Sequence, residues 1–150
     1  MLDIAFEVMC AFAACISFGI GFQLRGKKLV AGSVAGAIGW LVYLLAEQLA
    51  FNAISSSFFA TIAIASLSEL LARRMHAPVS IFLAVALLPL VPGSGLYYTM
   101  EYCLSGQTML ASTTGLHTLG IAAALAMGIV VVSSVVRMIT LHEMRPTGRQ

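Results

Sequence analysis

Residues 78–100 read PVSIFLAVALLPLVPGSGLYYTM, from Pro78 to Met100. The stretch carries no charged side chain and is apolar enough for a membrane span, which needs roughly 20 such residues. Yet Pro89, Pro92, Gly93 and Gly95 all fall between positions 89 and 95. Pro78 suits the start of a helix. Pro89 lies roughly 16 Å further along at helical rise, near the middle of a ~30 Å hydrocarbon core. In a continuous helix, Pro89 and Pro92 would remove the hydrogen bonds to the carbonyls of Val85 and Leu88. A break in mid-membrane is tolerated only where it is buried in protein or lines a wet cavity. The stretch therefore predicts a span broken between Pro89 and Gly95.

The rest of the chain agrees with a lipid environment. Of 150 residues, 60% are hydrophobic and only 9% charged, with a mean hydropathy of +0.99. A soluble domain usually needs about a quarter of its residues charged. The reading is an all-α integral membrane bundle of about five transmembrane helices in a single domain, residues 1–150. The spans fall at about 4–24, 29–49, 53–72, 78–100 and 116–141, with loops between them and a polar tail from His142 to Gln150. The first apolar run starts acidic (Asp3, Glu7) and ends at Arg25, Lys27 and Lys28, unlike a cleavable signal peptide. The first helix is expected to be retained.

The charges predict orientation. Arg25, Lys27 and Lys28 lie between spans 1 and 2, and Arg73 and Arg74 between spans 3 and 4. Arg137, Arg145 and Arg149 lie at or beyond the end of span 5. The alternate loops, 47–52 and 101–115, hold no Lys or Arg. Basic residues are retained on the cytoplasmic side. This places the N-terminus outside the cell membrane and the C-terminus in the cytoplasm.

Several function classes are excluded. The net charge is only +2, and the basic clusters have no interleaved aromatics, so nucleic acid is not a partner. There is no CxxC, and Cys10, Cys15 and Cys103 read as small buried apolar residues without metal or disulfide roles. His142-Glu143 is followed by Met-Arg-Pro and is not a zinc motif. With no nucleophile elbow or P-loop, the reading is not an enzyme, with no catalytic residue, no cofactor and no metal. His117 has serines and threonines around it but no acid to orient it.

The candidate residues are therefore those of a membrane transporter. Broken midplane helices are where many secondary transporters bind substrate. A half-helix starting near Pro92 would leave the amides of Gly93, Ser94 and Gly95 free at its positive end, a setting for a carboxylate. Pro89, Pro92, Gly93, Ser94, Gly95, Tyr97 and Tyr98 form the candidate substrate site, with a structural kink as the plain alternative. Glu69, inside span 3, is the proton-coupling candidate; the plain alternative is a pair with Arg73 one turn on. Trp40 and Tyr43, like the two tyrosines, fit either an interfacial belt or a cavity. Gly32 and Gly36 in span 2, and Gly120, Ala124 and Gly128 in span 5, are ridges of small residues for helix packing. They are also candidate contacts to a partner.

The segments Phe18–Phe22, Gly36–Tyr43, Ser68–Arg73, Pro78, Phe82 and the PLVPG…LYYTM run resemble the threonine/serine exporter family, in particular its short membrane subunit. The likeness covers about residues 18–101. It implies export of amino acids driven by the proton gradient, with a second membrane subunit of the same family as partner. Some split pairs of the family are linked to succinate, so the resemblance also admits a dicarboxylate exporter. A non-transporting partner that stabilises another subunit is the reading from a different class. Independently of the resemblance, an odd number of spans suits a plan of two oppositely oriented halves with a small carboxylate substrate between them.

Overall fold

Pro89 does end its helix. The computed structural model describes residues 2–143, and Arg145 and Arg149 of the tail lie outside the described residues. Helices α1 (Leu2–Gly21), α2 (Lys27–Gln48) and α3 (Ala53–Met75) are followed by a short α4 (Val79–Ala86). A 3₁₀ turn (Leu88–Leu90) leads to α5 (Gly93–Leu104) and then α6 (Thr108–Glu143). No strand occurs among the described residues. Four helices are long and apolar enough to cross a membrane, and α4 with the segment Leu88–Leu104 forms a pair bent by 43° that makes five if it counts as one span.

The break is stabilised from a neighbouring helix. Pro89 has no N–H to give to the Val85 carbonyl. Cys15 Sγ on α1 donates to that carbonyl instead, at 3.4 Å. Cys15 is fully buried, as expected, whereas Cys10 and Cys103 are exposed on the outside of the bundle. The expectation that all three are buried is corrected: in lipid an exposed thiol costs little, so nothing drives the other two inward.

The small-residue ridges are consumed inside this chain. Gly36 packs against Cys15 and the backbone of Ala86, and Gly32 lies over Phe82 and Val85. Gly39 faces Ile64, Gly120 faces Ile54, and Gly128 meets Thr61 and the Phe58 carbonyl. Ala124 is buried as well. These residues let α2 meet α1, α3 and α4 at short range, and α6 meet α3. They are helix-packing positions within this chain, and Gly120 and Ala124 also border an open hollow beside Ile54, Phe58 and Met127. The core they surround is small-residue rich, with Ala35, Ala60, Ile64, Ala86 and Leu90 at its centre.

The expected loop from Glu101 to Gly115 is helical over most of its length. Only 105–107 separate α5 from α6. The run of Thr and Ser reads as polar loop, but these hydroxyls turn back onto their own helix. Ser112 Oγ donates to the Thr108 carbonyl at 2.8 Å, Thr113 Oγ1 to Met109 and Thr118 Oγ1 to Thr114. A hydroxyl satisfied in this way tolerates a helix interior. With 36 residues, α6 is about 54 Å long, well beyond a ~30 Å core. Arg73 and Arg74 likewise sit in the last turn of α3 and not in a loop, where positive charge complements the helix dipole.

Candidate functional site

The two prolines and the first turn of α5 shape one wall of a cavity of about 270 Å³. Pro92 adopts φ −76°, ψ 61°, the geometry of an inverse γ-turn. Accordingly the Gly93 N–H donates to the Val91 carbonyl at 2.7 Å. The expectation of three free amides is therefore corrected to two, because the turn that starts the helix uses the first. The Leu96 N–H closes the first turn onto the Pro92 carbonyl at 3.2 Å. The amides of Ser94 and Gly95 come before any carbonyl that the helix could offer them.

Pro89, Pro92, Ser94 and Gly95 all line the cavity. Gly93, Tyr97 and Tyr98 do not line it. Gly93 is open on its Cβ side, with nothing within 4 Å. Tyr97 and Tyr98 are 66% and 49% exposed and pack edge-to-face on one another. Gly95 is the position of close approach: its missing Cβ is what allows Thr118 of α6 to lie directly against α5.

The opposite walls come from residues that the sequence left open or passed over. Trp40 and Tyr43 of α2 stack at 5.2 Å between ring centroids, 19° from parallel, and both face the cavity. The cavity reading of this pair holds, because one helical turn separates them on one face. Ser57 of α3 contributes a buried hydroxyl that donates to the Ala53 carbonyl. From α6 come Thr114, His117, Thr118 and Ile121. Their spacing of three, four and seven residues is a single helix stripe. That spacing was the available signal, but it points nowhere until α5 is known to pack on α6.

The lining carries no charged side chain and mixes hydroxyls, the Ser94–Gly95 end of α5 and one imidazole with a larger apolar share from Trp40, Pro89, Leu90, Val91, Pro92 and Ile121. Among the described residues, neither Lys, Arg, Asp nor Glu lines the cavity. It sits toward the end of the bundle away from Lys27, Lys28, Arg73, Arg74 and Arg137. Trp40 and Pro89 form a thin wall between it and a second, more apolar hollow beside Glu7 and Cys10.

Glu69 is not part of this cavity. It lies half-buried on α3, in the turn before the basic end of that helix. Its expected ion pair with Arg73 does not form among the described residues. The Arg73 guanidinium reaches across to α6 and donates to Thr140 Oγ1 at 3.1 Å. Arg73 thereby bridges two helices, which an i,i+4 pair would not do. Among the described residues no cluster of His, Cys, Asp or Glu could hold a metal ion.

The sequence model of the family described as Threonine/Serine exporter, ThrE, matches residues 7–135. The matched stretch contains every residue of the cavity. No curated protein and no solved structure matches the chain.

Proposed function

The chain belongs to the threonine/serine exporter family, and from that premise we propose that the cavity at the Pro89–Gly95 break is the substrate site of one membrane half of a secondary exporter. Its substrate is a small carboxylate-bearing metabolite, threonine or serine before others, and the proton gradient drives its export. The observation that carries this reading is a convergence. The free amides of Ser94 and Gly95, the Trp40–Tyr43 stack and the Thr114–Thr118 stripe all border one cavity. Amides at a helix N-terminus suit a carboxylate. An aromatic face suits an ammonium. Hydroxyls suit the substrate's own hydroxyl. A second carboxylate would need a second anion site, and no Lys or Arg borders the cavity, which favours an amino acid over succinate. The cavity itself argues against a merely stabilising partner.

In this reading the basic residues face the cytoplasm, so the N-terminus lies outside and the C-terminus inside. The cavity then occupies the outer half of the membrane. Glu69, near the inner face, is the proton-coupling candidate. A second membrane subunit of the same family completes the transporter, since an odd number of spans suits a plan of two oppositely oriented halves.

The test is counterflow of labelled substrate in proteoliposomes that hold the chain together with its co-purified membrane partner. Threonine and serine are expected to exchange and succinate is not. Exchange of succinate without threonine would overturn the amino-acid reading. An assembled complex that exchanges none of them would support the stabilising-partner alternative.

A further inference from the structure

We propose that His117 is the proton-sensitive group of this cavity, whose neutral imidazole accepts a hydrogen bond from the ammonium of a bound amino acid and whose protonation releases it. The proposal rests on the reading of the cavity as an amino-acid site.

The geometry isolates His117. It lies on the α6 stripe that lines the cavity and is an exposed residue of that helix. The contact between Gly95 and Thr118 brings the first turn of α5 against the residue next to it. A carboxylate on the Ser94 and Gly95 amides would therefore hold its ammonium within the same small volume. Tyr43 is the one other titratable side chain on the lining, and its hydroxyl donates to Glu47 Oε1 at 3.4 Å, away from the ligand space. Of the elements packed on α6, α3 offers the cavity only Ser57, while Glu69, Arg73 and Arg74 sit at its far end. On α5, Tyr98 and Glu101 are exposed, and Glu101 lies beyond the Thr99–Gly115 contact, toward the loop. Among the described residues, no carboxylate or fixed cation thus shares the cavity lining with the imidazole.

The sign of the effect follows. An imidazole changes charge between pH 5 and 8. When neutral, its bare nitrogen accepts a hydrogen bond from the ammonium. When protonated, both nitrogens donate, the acceptor is gone, and two positive charges face each other across the site. Proton and ligand exclude one another. His117 also lies about 30 Å along α6 from Arg137, at 1.5 Å per residue, one core thickness from the basic end. A proton from the side opposite the basic residues reaches it without crossing the membrane.

The experiment measures equilibrium binding of labelled threonine to the purified complex between pH 5.5 and 7.5, where threonine keeps one charge state. Affinity is expected to fall markedly from pH 7.5 to 5.5 as the acceptor nitrogen is lost. His117→Gln, which keeps an acceptor that does not titrate, is expected to bind threonine with a flat profile. His117→Lys is expected to bind weakly throughout. A wild-type pH dependence that survives His117→Gln would overturn the role of His117 and leave the cavity reading standing. Absence of threonine binding by the wild type at every pH would overturn the cavity reading, and this proposal with it.

Discussion

Gly93 and Gly95 look equivalent in the sequence, and the structure separates them sharply. A side chain at Gly93 meets nothing within 4 Å, whereas a Cβ at Gly95 collides with Thr118 Oγ1 and lies 3.3 Å from both Thr118 Cβ and Cγ2. Thr118 cannot simply swing aside. It is 4% exposed, and its hydroxyl is held by the Thr114 carbonyl at 2.7 Å. Gly95→Val should therefore push α5 off α6 or break that hydrogen bond. Overpacking costs about 1–3 kcal/mol, and a lost hydrogen bond about 0.5–1.5 kcal/mol. If roughly 2–4 kcal/mol falls on the ligand-competent arrangement, affinity drops roughly 30- to 1,000-fold. Gly93→Val, with no neighbour to displace, should keep wild-type affinity within a few-fold. The assay is threonine binding and counterflow, with elution of the detergent-solubilised complex as the check on assembly. Adding Thr118→Ala removes the two atoms outside Cβ that the new side chain meets. The double variant should recover binding beyond the sum of the single effects, since contacting residues couple by about 0.5–3 kcal/mol. The reasoning fails if Gly95→Val and Gly93→Val behave alike, or if Thr118→Ala gives no rescue.

Three further outcomes are expected. Cysteines placed at Asn52 and at His76, in a background without native cysteine, should react with an impermeant reagent from opposite sides of the membrane, and reaction of both from one side would contradict the five-span topology. Gly36→Leu should abolish a monodisperse, folded chain, because the new side chain meets Cys15 and the Ala86 backbone; a well-folded Gly36→Leu that loses only its partner would restore the ridge as an intersubunit contact. Glu69→Gln should leave threonine exchange within about twofold of wild type, since Glu69 is not on the cavity, but should lower net uptake-free export driven by an imposed pH gradient by tenfold or more; unchanged driven export would remove Glu69 from proton coupling.

The fold was legible because lipid imposes few choices. Residues that must satisfy every backbone group internally form helices, and the apolar runs between Arg25, Asn52 and Pro78 mark their ends. The break was legible for the same reason: Pro89 and Pro92 cannot donate, whatever surrounds them. The length of α6 was hidden by chemistry that looks like a loop. Thr108, Ser112, Thr113 and Thr114 are hydrophilic in water, yet each hydroxyl that bonds the preceding turn hides its polarity within the helix. The missing loop shapes the cavity, because a tight turn at 105–107 forces α5 back along α6 and sets Gly95 against Thr118.

The site divides along the same line. Its local half, Pro89 to Gly95, is written in consecutive residues. Its distal half comes from three helices, α2, α3 and α6, and depends on which helices touch. Trp40 and Tyr43 share a face of α2 with Gly36 and Gly39 close by, and those glycines draw α2 onto the α1–α4 pair and α3. The packing that buries the ridge therefore also presents the aromatic pair to the break. His117 follows the same logic at α6. Gly115 accepts Thr99, Thr118 meets Gly95, and Gly120 accepts Ile54. Those three contacts fix the rotation of α6, and that rotation leaves the Thr114–His117–Thr118 stripe facing the cavity. Packing and site are thus one arrangement here: the small residues that let the backbones approach are the ones that aim the polar side chains.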